Sequence, residues 1–225
     1  MHKKKILAII PARSGSKSVK DKNIINYKGK PLIYYSIRIA LKSKLIDKVV
    51  VSTDSKKYQK ISKSLGAEVP FLRPKKYSTD FSVDYDYILH CVKFFLKNHY
   101  NPDLVVLLRP SSPNRNSKII DMGIKYFLKN LKKYDSMRSV SKFNQPPQKL
   151  FMIKNGKLKG FFDKTLKGEY HAKPRQKYPT TYLPNGYIDI FKPNFFLKKN
   201  KLHGKILPFI TRHILDIDER EDLKA

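Results

Sequence analysis

Residues 6–23 read ILAIIPARSGSKSVKDKN, and this stretch decides the fold class. Five consecutive apolar residues at 6–10 predict a strand that is buried on both faces. A loop follows that contains glycine, small hydroxyl residues, one arginine and three lysines. Because ligands bind at the carboxyl ends of strands in open parallel sheets, the stretch predicts an α/β fold with a ligand site at this edge.

The rest of the chain alternates between short apolar runs and longer segments of helical periodicity, as in a parallel sheet with crossover helices. Helices are predicted at 31–44, 56–65, 84–98 and 118–130. Strands are predicted at 48–52, 68–71, 104–108, 137–141, 150–153 and 186–191. A polar, proline-containing loop at about 161–184 is long enough to indicate a function or a partner contact. Because no linker or repeat interrupts the pattern, we predict one domain over 1–225.

The composition is that of a folded protein, with 40% hydrophobic residues among 225. The formal net charge of +30 has two explanations, a compositional bias toward lysine or a set of acidic partners. In either case a positive field favours anionic substrates such as nucleoside triphosphates and sugar acids. A nucleic-acid-binding protein is the rival class, but the lysines are spread along the whole chain and are not gathered into a tail or one helix face.

Two further features concern the cellular compartment. No apolar run reaches the roughly 18 residues that a membrane helix needs. The only cysteine, Cys91, excludes an intrachain disulfide and a cysteine-based metal cluster. We therefore expect a cytoplasmic protein without a membrane or nucleic-acid partner.

The loop at 12–23 has the residue types of a phosphate-binding site. Gly15 allows the backbone to approach a phosphate closely, and the cations neutralise its charge. The loop is neither a Walker A sequence nor a Gly-x-Gly-x-x-Gly fingerprint. An ordinary charged surface loop has the same composition, so these residues alone leave both interpretations open.

An ordered set of short motifs extends the signal over nearly the whole chain. They are PAR at 11–13, VSTD at 51–54, LRP at 72–74, STD at 78–80, LLRPSSP at 107–113, DSMRSV at 135–140, PRQ at 174–176, PNG at 184–186 and DID at 216–218. In this order they resemble the CMP-sialic acid synthetases, the N-acylneuraminate cytidylyltransferases. Each motif alone is weak evidence for this family, whereas the ordered set is specific for it.

The resemblance implies a three-layer, Rossmann-like nucleotidyltransferase fold with a mostly parallel sheet and a small dimerisation extension, an arm at about 141–184. It implies a homodimer in which this arm reaches the partner subunit. It also implies CTP as co-substrate, Mg²⁺ or Mn²⁺ as cofactor, and transfer of CMP to an acidic nine-carbon sugar with release of pyrophosphate.

The resemblance assigns two segments to the nucleotide, one for the triphosphate and ribose and one for the cytosine base. The first comprises Ala12, Arg13, Ser16, Lys17, Lys22 and Asn23, and the second comprises Arg73, Asp80 and Ser82. Arg13 and Lys22 are the catalytic candidates, because in-line attack at the α-phosphate builds negative charge on the phosphate oxygens. Asp84 departs from the small hydroxyl residue that relatives often carry, and it is also a candidate helix cap.

The sugar-binding candidates are Arg109, Ser111, Ser112, Arg175 and Asn185. Arg109 directly follows the most apolar strand, and its planar guanidinium suits a bidentate pair with a sugar carboxylate. The competing interpretation is a rigid structural turn, which explains the flanking prolines but not the arginine. Leu183 stands where many relatives have an arginine or an aromatic residue, which leaves the identity of the sugar open.

Residues 214–218 alternate between apolar and acidic types, which predicts a strand with Asp216 and Asp218 on one face. Paired carboxylates suit Mg²⁺ bound together with substrate phosphates, so both are metal and catalytic candidates. Helix capping explains Asp218 but not Asp216.

Two questions about the substrate stay open. The alternative to a nonulosonic acid as substrate is another sugar acid, such as 3-deoxy-manno-octulosonate, or a sugar phosphate. Enzymes for that octulosonate typically carry Ser-Thr-Arg-Leu-Pro-Gly after Pro-Ala-Arg, whereas this chain has SGSK at 14–17, which favours a nonulosonic acid. The sequence does not distinguish N-acetylneuraminic, legionaminic and pseudaminic acids, and it identifies no general base.

Overall fold

The computed structural model describes residues 3–224. These residues contain ten strands: β1 Ile6–Pro11, β2 Asn26–Tyr27, β3 Lys30–Pro31, β4 Lys48–Ser52, β5 Leu104–Leu107, β6 Ser136–Phe143, β7 Phe151–Lys154, β8 Lys157–Gly160, β9 Thr181–Phe191 and β10 Ile206–Ile210. Five α-helices accompany them: α1 Leu32–Lys42, α2 Lys56–Ser64, α3 Asp84–Lys97, α4 Ser117–Lys129 and α5 Pro193–Lys199. The apolar runs and helical periods of the sequence thus form the expected alternation.

Six strands make one sheet in the order β10-β6-β9-β5-β1-β4. β1 pairs in parallel with both β4 and β5, and β10 pairs in parallel with β6. β9 is inserted antiparallel between β5 and β6. The sheet is therefore mostly parallel, and the strands β4, β1, β5 and β6 bring their carboxyl ends to one edge.

Different helices cover the two faces of the sheet, and β1 directs alternate side chains to each face. Ile6, Ala8 and Ile10 pack in a cluster with side chains of α1, α2 and α4. Leu7 and Ile9 pack on the opposite face with side chains of α3 and α5. Both sets are essentially inaccessible to solvent. The predicted three-layer α/β architecture is confirmed.

Two predicted strands are wrong. Residues 68–71 form only an isolated bridge, between Glu68 and Val50. Residues 214–218 are irregular: Ile214 and Ile217, three positions apart, are both buried, so the segment does not alternate as a strand does. The strands β2, β3, β8 and β10 and the helix α5 were not predicted from the sequence.

The segment predicted as an arm has its own local structure. Beyond a β-bulge between Arg138 and Val140, β6 and β9 continue as a two-stranded ribbon that ends at the pair Phe143 and Thr181. Along the chain between β6 and β9, the strands β7 and β8 form a separate antiparallel hairpin. The hairpin and the residue after it expose large apolar side chains, with Ile153 at 79%, Leu158 at 69% and Phe161 at 57%. Within residues 3–224, no helix combines the length and apolar character needed to cross a membrane.

Candidate active site

A cleft of about 500 Å³ lies at the carboxyl edge of the sheet. The loop after β1, the loop before α3, the loop after β5 and the C-terminal segment form its walls. Ten residues that the sequence analysis selected line it: Arg13, Ser16, Lys17, Lys22, Asn23, Arg73, Ser82, Arg109, Ser111 and Asp218. The parallel strands explain this convergence, because each delivers its following loop to the same edge.

The loop after β1 presents two cations that share one carboxylate. Arg13 Nη2 lies 2.8 Å and Lys17 Nζ lies 2.7 Å from the two oxygens of Asp80. Hydrogen bonds from Lys17 and Arg13 hold the pKa of Asp80 below its ordinary value. Asn23 Nδ2 donates to the carbonyl of Arg13 and fixes the loop from within. The two cations therefore converge on a single anionic group, as they would on a phosphate.

Lys22 and Asp218 join the two ends of the chain in the same cleft. Lys22 Nζ donates to Asp218 Oδ1 at 2.8 Å, and the lysine side chain is only 16% exposed, against 68% for the aspartate. The backbone N–H of Ile217 donates to the carbonyl of Ser111, which anchors the C-terminal segment beside the loop after β5. Asp222 accepts from the backbone N–H of Asp218 and so fixes the turn that follows.

Arg73 forms a buried wall of the cleft. Its backbone N–H donates to the carbonyl of Thr53, and its Nε donates to Ser52 Oγ at 3.0 Å. The guanidinium lies 4.5 Å from the ring centroid of Tyr87, a cation–π contact. Burial lowers the pKa of Arg73 from its ordinary value. With 4% exposure, this side chain is preorganised by β4 and α3 and does not extend into solvent.

Arg109 is held between two carboxylates. Its Nη1 lies 2.9 Å from Asp189 Oδ2, and its Nη2 donates to Asp84 Oδ2. Burial alone would lower the pKa of Arg109, but the charges of Asp84 and Asp189 raise it above the ordinary value. Asp189 also pairs with Arg138 Nε at 3.2 Å, and Asp84 accepts from Tyr87 Oη at 2.5 Å. Both outer nitrogens of Arg109 are thus engaged within the protein.

Asp189 and Arg115 were not among the site residues predicted from the sequence. Asp189 lies within the apolar run of β9, and an acid in a buried strand was the signal that could have identified it. Arg115 is 7% exposed and donates to the carbonyls of Ser112, Gly186 and Tyr187. Burial lowers its pKa to about 9, so it stays protonated at neutral pH. It ties the loop after β5 to β9.

Five other selected residues lie at or behind the cleft without lining it. Ala12 is buried and its N–H extends the β1–β4 ladder to Ser52. Asp80 holds the loop cations, Ser112 Oγ donates to Asp216 at 3.3 Å, and Asn185 Nδ2 donates to Thr211 Oγ1 at 2.7 Å. These residues support the walls in the conformation that the structure describes.

Arg175 lies in a different place. It lines a separate cleft of about 350 Å³ between the β6–β9 ribbon and the turn at Arg175–Lys177. Within one chain, the structure therefore does not bring Arg175 and Arg109 to the same cleft, although the sequence analysis expected them around one pocket.

The cleft offers few ligands for a metal ion. Among residues 3–224, no group of three or more His, Cys, Asp or Glu side chains is arranged to hold one. Asp218 is exposed at the cleft, and Asp216 is exposed behind it. Mg²⁺ commonly takes only one or two protein carboxylates and completes its shell with water and substrate phosphates. Asp218 fits that mode of binding at the cleft, whereas Asp216 does not line the cleft, and the strand predicted to place both carboxylates on one face does not form.

Comparison with known proteins identifies the family. A protein-family profile described as Cytidylyltransferase matches residues 7–197, which is most of the chain. The chain belongs to the cytidylyltransferase family. The chain is 34% identical over 223 residues to the N-acylneuraminate cytidylyltransferase of Escherichia coli O18:K1:H7, covering 98% of the chain. The chain spans about half of that relative, 51% of its length. The resemblance to CMP-sialic acid synthetases is confirmed.

A second relative matches over nearly its full length. The pseudaminic acid cytidylyltransferase of Campylobacter jejuni strain 81-176 is 30% identical over 224 residues, which is 98% of this chain and 94% of the relative. Among solved structures, CMP:2-keto-3-deoxy-manno-octonic acid synthetase complexed with CTP superimposes with a TM-score of 0.71. At 16% identity, over 98% of this chain and 95% of that one, it shares the fold.

Proposed function

We propose that the protein joins CMP from CTP to a hydroxyl of a nonulosonic, sialic-type sugar acid and releases pyrophosphate. The observation that carries the proposal is the set of cations at one edge of the sheet, with Arg13, Lys17 and Lys22 in a single loop and Arg73 beside it. The relatives, which are named for N-acylneuraminate and pseudaminic acid, support the class of sugar. The proposed reaction takes place in the cytoplasm, where CTP is available.

The proposed reaction is a direct transfer that needs no covalent enzyme intermediate. The sugar hydroxyl oxygen forms a bond to the α-phosphorus, and the bond from that phosphorus to the bridging oxygen of the β-phosphate breaks. Pyrophosphate leaves with the bond electrons, and the hydroxyl proton passes to solvent. Arg13, Lys17 and Lys22 bind the phosphate oxygens and stabilise the negative charge that increases on them.

Asp216 and Asp218 are the proposed ligands of Mg²⁺ or Mn²⁺. Bound there with the substrate phosphates, a divalent cation supplies charge neutralisation at the reacting centre. Asp218 also orients Lys22 through their hydrogen bond. Ser111 and Ser112 belong to the proposed sugar side of the cleft, and Asn185 supports that side from behind.

The nucleobase specificity tests this proposal. We expect strong preference for CTP over UTP and ATP in a pyrophosphate-release assay with a panel of sugar acids. The Arg73→Ala variant should raise the Michaelis constant for CTP more than it lowers the maximal rate, because Arg73 contacts the nucleotide without taking part in the chemistry. The exposed Arg220→Ala variant is the control. Equal use of ATP by the unmodified protein would contradict the proposal.

We further propose a homodimer in which the segment at about 141–184 contacts the partner subunit. Its exposed apolar side chains, among them Ile153, Leu158 and Phe161, form a surface of the kind that marks protein contacts. In such a dimer, Arg175 would belong to the partner's sugar site, which would account for its separate cleft here.

The dimer has its own test. We expect light scattering to give twice the chain mass for the unmodified protein and a lower mass for the double variant Ile153→Lys with Leu158→Lys, because two buried charges cost more than the apolar contact contributes. The exposed Met122→Lys variant on α4 is the control. A monomeric unmodified protein with full activity would contradict the dimer.

A further inference from the structure

Two ion pairs join opposite walls of the cleft at the loop cations. Arg13 and Lys17 belong to the loop after β1 and line the cleft. Asp80 belongs to the loop before α3, and its two oxygens lie 2.8 Å from Arg13 Nη2 and 2.7 Å from Lys17 Nζ. Ser82, two residues further along that loop, also lines the cleft. Asp80 therefore occupies nitrogen atoms that the proposed function gives to the phosphates of CTP.

The carboxylate of Asp80 resembles a phosphate in what it offers these cations. It presents two anionic oxygens, one to each cation. Arginine and lysine bind carboxylates and phosphates through the same N–H groups. A phosphate that approaches Arg13 Nη2 and Lys17 Nζ must displace Asp80 or come close to it, and two like charges in contact are unfavourable.

The position of Asp80 allows its displacement. Its side chain is 32% exposed and that of Lys17 is 83% exposed, and ion pairs so close to solvent contribute little free energy. Asp80 lies in a short turn that is closed locally, because the N–H of Ser82 donates to the carbonyl of Thr79 and the N–H of Thr79 donates to Ser82 Oγ. The next residue, Phe81, is already 94% exposed. The turn can therefore withdraw from the cations without uncovering this apolar side chain.

The loop after β1 has anchors other than Asp80. The backbone N–H and the hydroxyl of Ser14 donate to the two oxygens of Asp54 at 2.7 Å and 2.8 Å. Asn23 Nδ2 donates to the carbonyl of Arg13. These contacts hold the backbone on both sides of the Arg13–Ser14 bond. Asp80 is thus a partner of the charges of this loop and not the support of its backbone.

We propose that Asp80 is an internal competitor of the nucleotide: it pairs with Arg13 and Lys17 before the nucleotide binds, and the phosphates of CTP displace it. Asp80 then belongs to the triphosphate part of the cleft, whereas the resemblance assigned it to the cytosine base. This inference rests on the proposed function, which places the phosphates of CTP at these two cations.

The Asp80→Asn variant tests the inference by the sign of its effect on binding. Asparagine keeps the size of the side chain and removes its charge, so the dissociation constants of CTP and of pyrophosphate should both fall by roughly threefold to tenfold. Both are measured by calorimetry at one Mg²⁺ concentration and without a sugar acid. UTP, in competition with CTP, should gain by the same factor. An unchanged or higher constant for pyrophosphate, or a changed ratio between CTP and UTP, would overturn the inference.

The Lys17→Met variant separates competition from positioning when it is made in two backgrounds. If Asp80 competes for Lys17, this variant should weaken CTP binding more in the Asp80→Asn protein than in the unmodified protein, because the lysine there has no partner to leave. If Asp80 instead holds Lys17 in place for CTP, the loss should be smaller in the Asp80→Asn protein. An equal or smaller loss would overturn the inference.

Asp86→Asn is the matched control, since it removes the same charge from the first turn of α3, at a residue that does not line the cleft. Because solvent and salt screen charges that are not in contact, both dissociation constants should stay within about twofold of normal. A decrease equal to that of Asp80→Asn would indicate a general effect of net charge and would overturn the inference.

Pyrophosphate release by the unmodified protein distinguishes the two levels. If release is absent with every sugar acid, the proposed transfer reaction fails, and the binding constants still report whether Asp80 competes with phosphates. If release is normal while Asp80→Asn gives an opposing result, only this inference fails.

Discussion

The Asp218→Asn variant should keep its fold and lose roughly 10²-fold or more of its turnover number. Asp218 is the exposed carboxylate at the cleft, and it is both a proposed metal ligand and the partner of Lys22 at 2.8 Å. Asparagine keeps the size of the side chain but is a weak ligand for a hard cation. Asp216→Asn should lose turnover on the same order. Both rates are measured by pyrophosphate release across a titration of Mg²⁺.

The neighbouring acid provides the control. Glu219 is exposed and follows Asp218 directly, so Glu219→Gln changes the local charge equally without removing a proposed ligand. Its rate should stay within about twofold of normal. Near-normal rates for both aspartate variants at limiting Mg²⁺ would contradict the metal assignment.

The Lys22→Met variant should show the second large effect, a loss of roughly 2.7–4 kcal/mol of transition-state stabilisation, or about 10²-fold to 10³-fold in turnover. Lys22 is largely covered, with its charge directed to the cleft. Methionine preserves the packing of the aliphatic stem and removes only the charge. The measurement is the maximal rate at saturating CTP and sugar.

A double-mutant cycle tests whether Lys22 and Asp218 act together. Because the two side chains are in contact, the double variant should lose less than the sum of the two single losses. Lys20→Met is the control, since Lys20 is an exposed lysine in the same loop that does not line the cleft. A Lys20 variant as impaired as the Lys22 variant would indicate a general field effect of the loop charges.

The sequence predicted the elements that apolar patterning alone determines. β1 and β5 are continuous apolar runs, β4 contains three consecutive valines, and α3 has one apolar stripe, so local composition was sufficient. β10 was missed because Pro208 lies within it, and proline in a strand is tolerated where the strand forms a sheet edge, as β10 does. The antiparallel insertion of β9 depends on tertiary pairing that no local pattern records.

The candidate site was predictable where a residue follows a buried strand. Arg13 and Lys22 lie in the loop after β1 and Ser111 lies in the loop after β5, and the parallel sheet brings these loops together. The pairing of Arg109 with two carboxylates was not predictable from the sequence. One partner, Asp189, is 80 positions away, and the other, Asp84, belongs to a helix. The separation of Arg175 from the main cleft likewise follows from the path of the β6–β9 ribbon.

The central claim, transfer of CMP to a sugar hydroxyl, is tested most directly by phosphorus NMR of the purified product of CTP and a nonulosonic acid. Attack by a hydroxyl leaves one phosphorus in the product, so we predict a single phosphodiester signal for the purified product and one equivalent of free pyrophosphate in the reaction mixture before purification. A product with two coupled phosphorus signals would mean that a sugar phosphate is the acceptor and would contradict the account.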